Sequence, residues 1–142
     1  MHPLLEITEP AHLDRLARLR SFVEAACEQT GVDPTTCFAL QLAVDEVCTN
    51  IIVHGYANRE PGSIHLSFQH DQGQVKITII DQGCPFDPQQ APHPDLAADW
   101  EERKIGGMGI YLVQTIMDEI CYQANTEQGN RLVLIKSLPS DL

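Results

Sequence analysis

Two stretches of this chain alternate apolar and polar residues on both sides of a tight turn, and nothing else in it so restricts the possible folds. SIHLSFQ (63–69) and QVKITII (74–80) flank the turn HDQG, and near the C-terminus CYQAN and RLVLIKSL flank EQGN. Period-two alternation gathers the apolar residues on one face of a strand, and a short glycine-containing turn returns the partner antiparallel. Each hairpin therefore has an apolar face that something must cover. Helical patterns supply the cover. LLEIT (4–8) reads as one more short strand, and Pro10 as the start of a helix bearing Leu13, Leu16, Leu19, Phe22, Val23 and Ala26 at spacings of three and four. Gly31 ends that helix. Asp33-Pro34, a capping residue followed by proline at the first helical position, starts a second helix that runs to Gly55. A third pattern covers 106–120 through Ile110, Val113, Ile116, Met117 and Ile120. The order strand, two helices, hairpin, irregular loop, helix, hairpin predicts an α+β fold: a two-layer sandwich, a mixed and mostly antiparallel sheet with helices on one face, built as one domain over 1–142.

The composition permits this. With 142 residues, 43% hydrophobic and 20% charged, the chain can bury one core without staples. No apolar run reads as a span of about 18 residues, and the N-terminus lacks the pattern of a secretion signal, so a cytoplasmic protein with no membrane partner is expected. Five cysteines, an odd number without a CxxC pair, read as small buried hydrophobes, with Cys84 in a loop. A net charge of −11 disfavours direct contact with nucleic acid and suits a basic protein partner.

Three places interrupt the pattern. On the second helix, at about 100° per residue, Leu40, Val44, Val47 and Ile51 form a core stripe. Glu46 and Asn50 fall one turn apart on its shoulder, beside the small Ala39 and Ala43. Taken alone, this is also how an ordinary polar flank looks. Asp81 ends an apolar strand and Gly83 follows, an arrangement equally common in plain turns. GGMG (106–109) precedes a helix, where free N–H groups and the helix dipole favour phosphate, with Arg103 and Lys104 just upstream. A glycine cluster by itself is a weak sign.

Their order and spacing say more. E-x-x-x-N on a helix, D-x-G after a strand, then G-x-G at a helix start resembles the Bergerat (GHKL) ATP-binding fold shared by gyrase, heat-shock chaperones, histidine kinases and mismatch-repair ATPases. Glu46/Asn50 match its N box, Asp81/Gly83 its first glycine box and Gly107/Gly109 its second, so the resemblance covers essentially the whole chain. DEVCTNIIVHGY, DQGCPFDP and GGMGIYLV are most similar to the stand-alone anti-sigma-factor serine/threonine kinases.

The resemblance implies ATP and Mg²⁺ as cofactors. It makes Asp81 the acceptor for the adenine amino group, with Gly83 closing over the base. It makes Asn50 the Mg²⁺ ligand, and Gly107, Met108 and Gly109 phosphate contacts. It makes Glu46 the general base toward a protein hydroxyl, and 87–105 a lid with Arg103 or Lys104 as extra charge near the γ-phosphate. It further implies an anti-anti-sigma-type substrate, a sequestered sigma factor and a homodimer. One departure stands out: many family members carry threonine after the glycine of the last hairpin, where it helps hold the phosphates, and this chain has Gly129-Asn130. The rival from another class is a nucleotide-sensing module that transfers nothing. A histidine-kinase fragment would need an acceptor histidine on a dimerisation helix, and the helix at 10–30 offers only His12. A gyrase- or chaperone-type ATPase would need further domains.

Overall fold

A computed structural model describes residues 4–57, 59–85 and 107–139, with 107–110 described by backbone alone. The elements follow the expected order. They are β1 (Leu5–Pro10), α1 (Leu16–Thr30), α2 (Pro34–Asn50), β2 (Ser63–Asp71), β3 (Gln74–Asp81), α3 (Gly107–Ile116), β4 (Glu119–Thr126) and β5 (Gly129–Ser137). The five strands form one sheet in the order β1-β2-β3-β5-β4, and every pairing is antiparallel.

The registers explain which face is buried. Phe68 pairs Ile77 and Leu66 pairs Ile79 across β2 and β3, and Ile77 and Ile79 pair Leu134 and Leu132 across β3 and β5. These rows meet Leu19, Val23 and Ala26 of α1 and Leu40, Val44 and Val47 of α2 in one core. The opposite face carries Glu6, His65, Ser67, Lys76, Thr78 and Arg131.

Asp33 caps α2 as its sequence predicts, its side chain accepting the Thr36 N–H at 3.0 Å, with Pro34 in the first turn. Gly31 ends α1 in the left-handed region at φ 77°. Four expectations need correction. Pro10 closes β1 instead of opening a helix: β1 is an edge strand, where a residue without an N–H is tolerated. Leu13 therefore falls in a 3-10 turn, Leu13–Arg15, and is 55% exposed. The last helix stops at Ile116, whose carbonyl accepts from Lys136 Nζ at 2.7 Å, and Ile120 reaches the core from a strand, opposite Leu134. Pro34–Gly55 is, at 22 residues, long and apolar enough to cross a membrane by length and composition, although here its apolar stripe packs into the core. Cys27, Cys37 and Cys48 are buried as expected of small hydrophobes, whereas Cys84 and Cys121 are exposed.

Candidate functional site

The way α2 ends builds one wall of the site. Asn50, its last residue, is 8% exposed, and its Nδ2 donates to the Glu46 carbonyl at 2.8 Å. This bond to the preceding turn fixes the amide. Asn50 Oδ1 is left as a buried acceptor that receives no hydrogen bond among the described residues. Glu46, one turn earlier, is half-buried, and its carboxyl is raised above the usual range by burial and then by the charge of Asp45. Asp45 itself is drawn toward α1 by Arg20 Nη1 at 2.6 Å.

Beyond Asn50 the helix widens into a π-type turn, Ile51–Gly55, a distortion frequent at functional sites. The widened turn brings Gly55 against the loop after β3, where the Cys84 N–H donates to the Gly55 carbonyl at 2.6 Å. A Cβ on Gly83 would lie 2.7 Å from that carbonyl oxygen, so only glycine permits the two backbones to meet. Tyr56 holds the same loop from the side. Its hydroxyl accepts the Gln82 N–H at 2.7 Å and donates to the Ser63 carbonyl at 3.0 Å.

Asp81 ends β3 beneath this junction and is 6% exposed. Its Oδ1 accepts the Gly83 N–H at 2.8 Å and Asn130 Nδ2 at 3.2 Å, while Oδ2 receives no donor among the described residues. Burial pushes the Asp81 carboxyl above its ordinary 3.8, and the Gly83 and Asn130 bonds oppose that rise. A Cβ on Gly55 would come within 4.0 Å of Asp81 Oδ1. The thiol of buried Cys48 is pushed up by burial and then by the charges of Asp45 and Asp81. The end of α2 and the end of β3 thus adjoin.

α3 starts at Gly107 and packs on α2. Gly107, Met108 and Gly109 occupy its first turn, where N–H groups have no partner within the helix. Lys104, Arg103 and the expected lid at 87–105 lie outside the described residues. Asn130, which stands where the resemblance places threonine, donates to Asp81 Oδ1 at 3.2 Å and to the Gly83 carbonyl at 2.8 Å. Gly55, Tyr56 and this use of Asn130 were not found from the sequence. The β3–β5 register, which sets Asn130 opposite Asp81, is the signal that reveals the last.

These groups fit a magnesium nucleotide. Asn50 Oδ1 is a hard oxygen donor suited to Mg²⁺, and Asp81 Oδ2 is a buried acceptor suited to an amino group, held beside the close Gly55–Gly83 backbone contact.

Known proteins with this pattern give it a family. The model of the histidine kinase-like ATPase domain matches residues 9–136. The chain belongs to that family. Among its relatives is the serine-protein kinase RsbW of Bacillus pumilus, 31% identical over 87% of this chain and 80% of that one. The anti-sigma F factor of Clostridium beijerinckii is 32% identical over 68% of each chain. The serine/threonine-protein kinase BtrW of Bordetella bronchiseptica is 35% identical over 61% of each, so this last match spans less than two thirds of that relative. The crystal structure of the RsbU and RsbW domains of a Mycobacterium tuberculosis protein superposes with a TM-score of 0.69. That match covers 96% of this chain and 32% of the other at 19% identity, which shows the shared fold.

Proposed function

We propose that this chain is an ATP-dependent serine/threonine protein kinase and anti-sigma regulatory factor. It phosphorylates an anti-anti-sigma-type protein and sequesters a sigma factor. The observation that carries the reading is a pair of buried acceptors that receive no donor among the described residues, Asn50 Oδ1 at the end of α2 and Asp81 Oδ2 at the end of β3, on elements that adjoin through Gly55 and Gly83, in a chain whose relatives are named serine or serine/threonine kinases and an anti-sigma factor.

Each residue then has one task. Asp81 Oδ2 accepts the adenine amino group, and Gly83 lets backbone close over the base. Asn50 Oδ1 holds Mg²⁺, which when bound neutralises charge on the phosphate oxygens. Backbone N–H groups of Gly107, Met108 and Gly109 face the phosphates at the positive end of α3, and Lys104 adds charge at the γ-phosphate. Glu46 takes the proton of the incoming hydroxyl. Its raised pKa makes it a stronger base than a free carboxylate, because burial and Asp45 both disfavour its charge. Phosphoryl transfer is loose, so positioning carries more of the barrier than proton removal.

The protein is proposed to work in the cytoplasm as one domain and as a homodimer, the dimer resting on the family relationship and measurable by sedimentation. An exchange of partners follows if ATP- and ADP-bound forms differ in affinity for each.

The test is transfer from γ-labelled ATP to an anti-anti-sigma-type protein captured from the native host. Wild type labels a serine or threonine. Glu46→Ala keeps ATP affinity and loses about 10²- to 10⁴-fold in transfer. Equal loss of binding and transfer contradicts the role of Glu46. ATP binding by wild type with no labelled protein favours the nucleotide-sensing module instead.

A further inference from the structure

Two of the five cysteines meet where α1 gives way to α2. Cys27 lies on the last turn of α1 and Cys37 on the first turn of α2, and they are 1% and 8% exposed. Their thiols are in hydrogen-bond contact across the two helices. Local backbone bonds hold both in place. The Cys27 carbonyl accepts the N–H groups of Gly31 and of Val32, the latter at 2.9 Å, and the Cys37 N–H donates to the Asp33 carbonyl at 2.9 Å. Packing alone would be served by any small apolar residue, whereas two adjoining thiols can also react with each other.

The pair can also be reached. Both cysteines line a cleft of about 310 Å³ between the helices, together with Glu24, Glu28, Val32 and Phe38, the last 67% exposed. A small oxidant fits such a cleft, whereas a protein disulfide does not. We propose that Cys27 and Cys37 are a dithiol modification site, closed to a reversible disulfide by hydrogen peroxide entering this cleft. The sulfur of Cys37, the more exposed of the two, attacks one peroxide oxygen. The O–O bond breaks, the departing hydroxide leaves with the thiol proton as water, and Cys37 becomes a sulfenic acid. The Cys27 sulfur then attacks the Cys37 sulfur. The S–O bond breaks, and that hydroxide leaves with the Cys27 proton as a second water. The two thiols together lose two electrons, and one hydrogen peroxide is reduced to two waters.

Burial pushes the Cys27 thiol up, and its contact with Cys37 and then the charges of Asp33 and Glu24 add to the rise. Cys27 therefore stays a thiol and resolves rather than initiates, and oxidation is slow beside that of a low-pKa sensor cysteine. The bridge ties residues 27–37 into a closed loop and locks the end of α1 to the start of α2. Further along the same helix pair, Arg20 Nη1 already meets Asp45 at 2.6 Å, so the bridge adds a second, covalent tie. In a reducing compartment such a bond is transient, a response to oxidant rather than a permanent staple.

The experiment treats the folded full chain with hydrogen peroxide at neutral pH, alkylates the remaining thiols after unfolding, and maps the non-reduced peptides by mass spectrometry. Wild type is compared with Cys84→Ser/Cys121→Ser, which removes the exposed thiols, and wild type alone gives the readout should that variant not fold. The expected product is a peptide linking Cys27 to Cys37, with the fully buried Cys48 alkylated. The melting temperature rises by about 5–10 °C on oxidation, the effect of one short closed loop in a chain of this size, and returns with dithiothreitol. Cys37→Ser in the same background gives neither link nor rise. Three results each overturn the proposal: Cys27 and Cys37 both recovered alkylated, Cys37 carried to a sulfinic acid with Cys27 free, or an oxidised protein that melts no higher than the reduced one. A link that forms only after urea has unfolded the chain overturns it as well.

Discussion

Asp81 shows what the proposed binding role costs the free protein. Its carboxylate sits 6% exposed among the ends of three elements, and burial raises its pKa above the ordinary 3.8. A raised carboxyl pKa contributes stability that is full below the unfolded value and is lost as pH rises through the folded one. At neutral pH, therefore, the charge works against folding. Asp81→Asn keeps the shape and an Oδ1 for Gly83 and Asn130 but removes the charge. The expected outcome is an apo protein at least as stable as wild type to urea at pH 7, its advantage growing as pH rises from about 4 through the wild-type pKa and constant above it. Its ATP affinity is expected to fall by about tenfold or more, since an amide donor then faces the base amine. Glu46 makes a second test. Burial is the larger cause of its raised pKa and Asp45 the second. Asp45→Asn removes the like charge, so the acid limb of the transfer-rate profile moves to lower pH. An unmoved limb would show that Glu46 is not the group that titrates. None of this was legible at single residues, where Glu46, Asp81 and the glycines each look like ordinary flank or turn residues. Spacing along the chain made them visible together.

At the level of elements, the site depends on how α2 ends. The π-type turn that follows it ends at Gly55, whose backbone is in contact with the loop after β3, with Cys84 N–H to Gly55 O at 2.6 Å. Gly83→Ala tests that contact. Its Cβ would meet Gly55 O at 2.7 Å and Gly55 C at 2.8 Å, both backbone atoms that cannot swing aside. Overpacking of this kind costs about 1–3 kcal/mol, read from urea unfolding, and ATP binding should weaken with it. A variant with wild-type stability and affinity would show that the loop does not need the contact. The sequence carried the start of α2 clearly, since capping by Asp33 and a proline in the first turn are local effects. It did not carry the π-type turn, because IIVHG continues an apolar helical pattern and its contact with Gly83 and Cys84 joins residues far apart in sequence. Pro10 failed for the converse reason: a local start signal lost to strand pairing with Ser63. At Ile116 the period runs on, but Asp118 turns the chain, its carboxylate accepting the Ser137 N–H at 2.6 Å.

Across the whole molecule, alternation and helix spacing were enough to order the elements and assign two layers, because each reflects burial of one face. The strand order β1-β2-β3-β5-β4 was not legible, since placing β5 beside β3 depends on contacts far apart in sequence. The unbroken LVLI of β5, with Leu132, Val133 and Leu134 buried, is the mark of that central position. The same pairing sets Asn130 against Asp81, so the fold completes a site whose parts lie in three separate segments. The central claim is that the ends of α2 and β3 and the start of α3 hold one magnesium adenine nucleotide. The most direct measurement is a crystal structure of the chain with Mg²⁺ and a non-hydrolysable ATP analogue. The account predicts the adenine amino group in hydrogen-bonding distance of Asp81 Oδ2, Mg²⁺ on Asn50 Oδ1, and phosphate oxygens at the N–H groups of Gly107 and Gly109. A nucleotide bound elsewhere, with Asp81 Oδ2 and Asn50 Oδ1 facing only water, would contradict it.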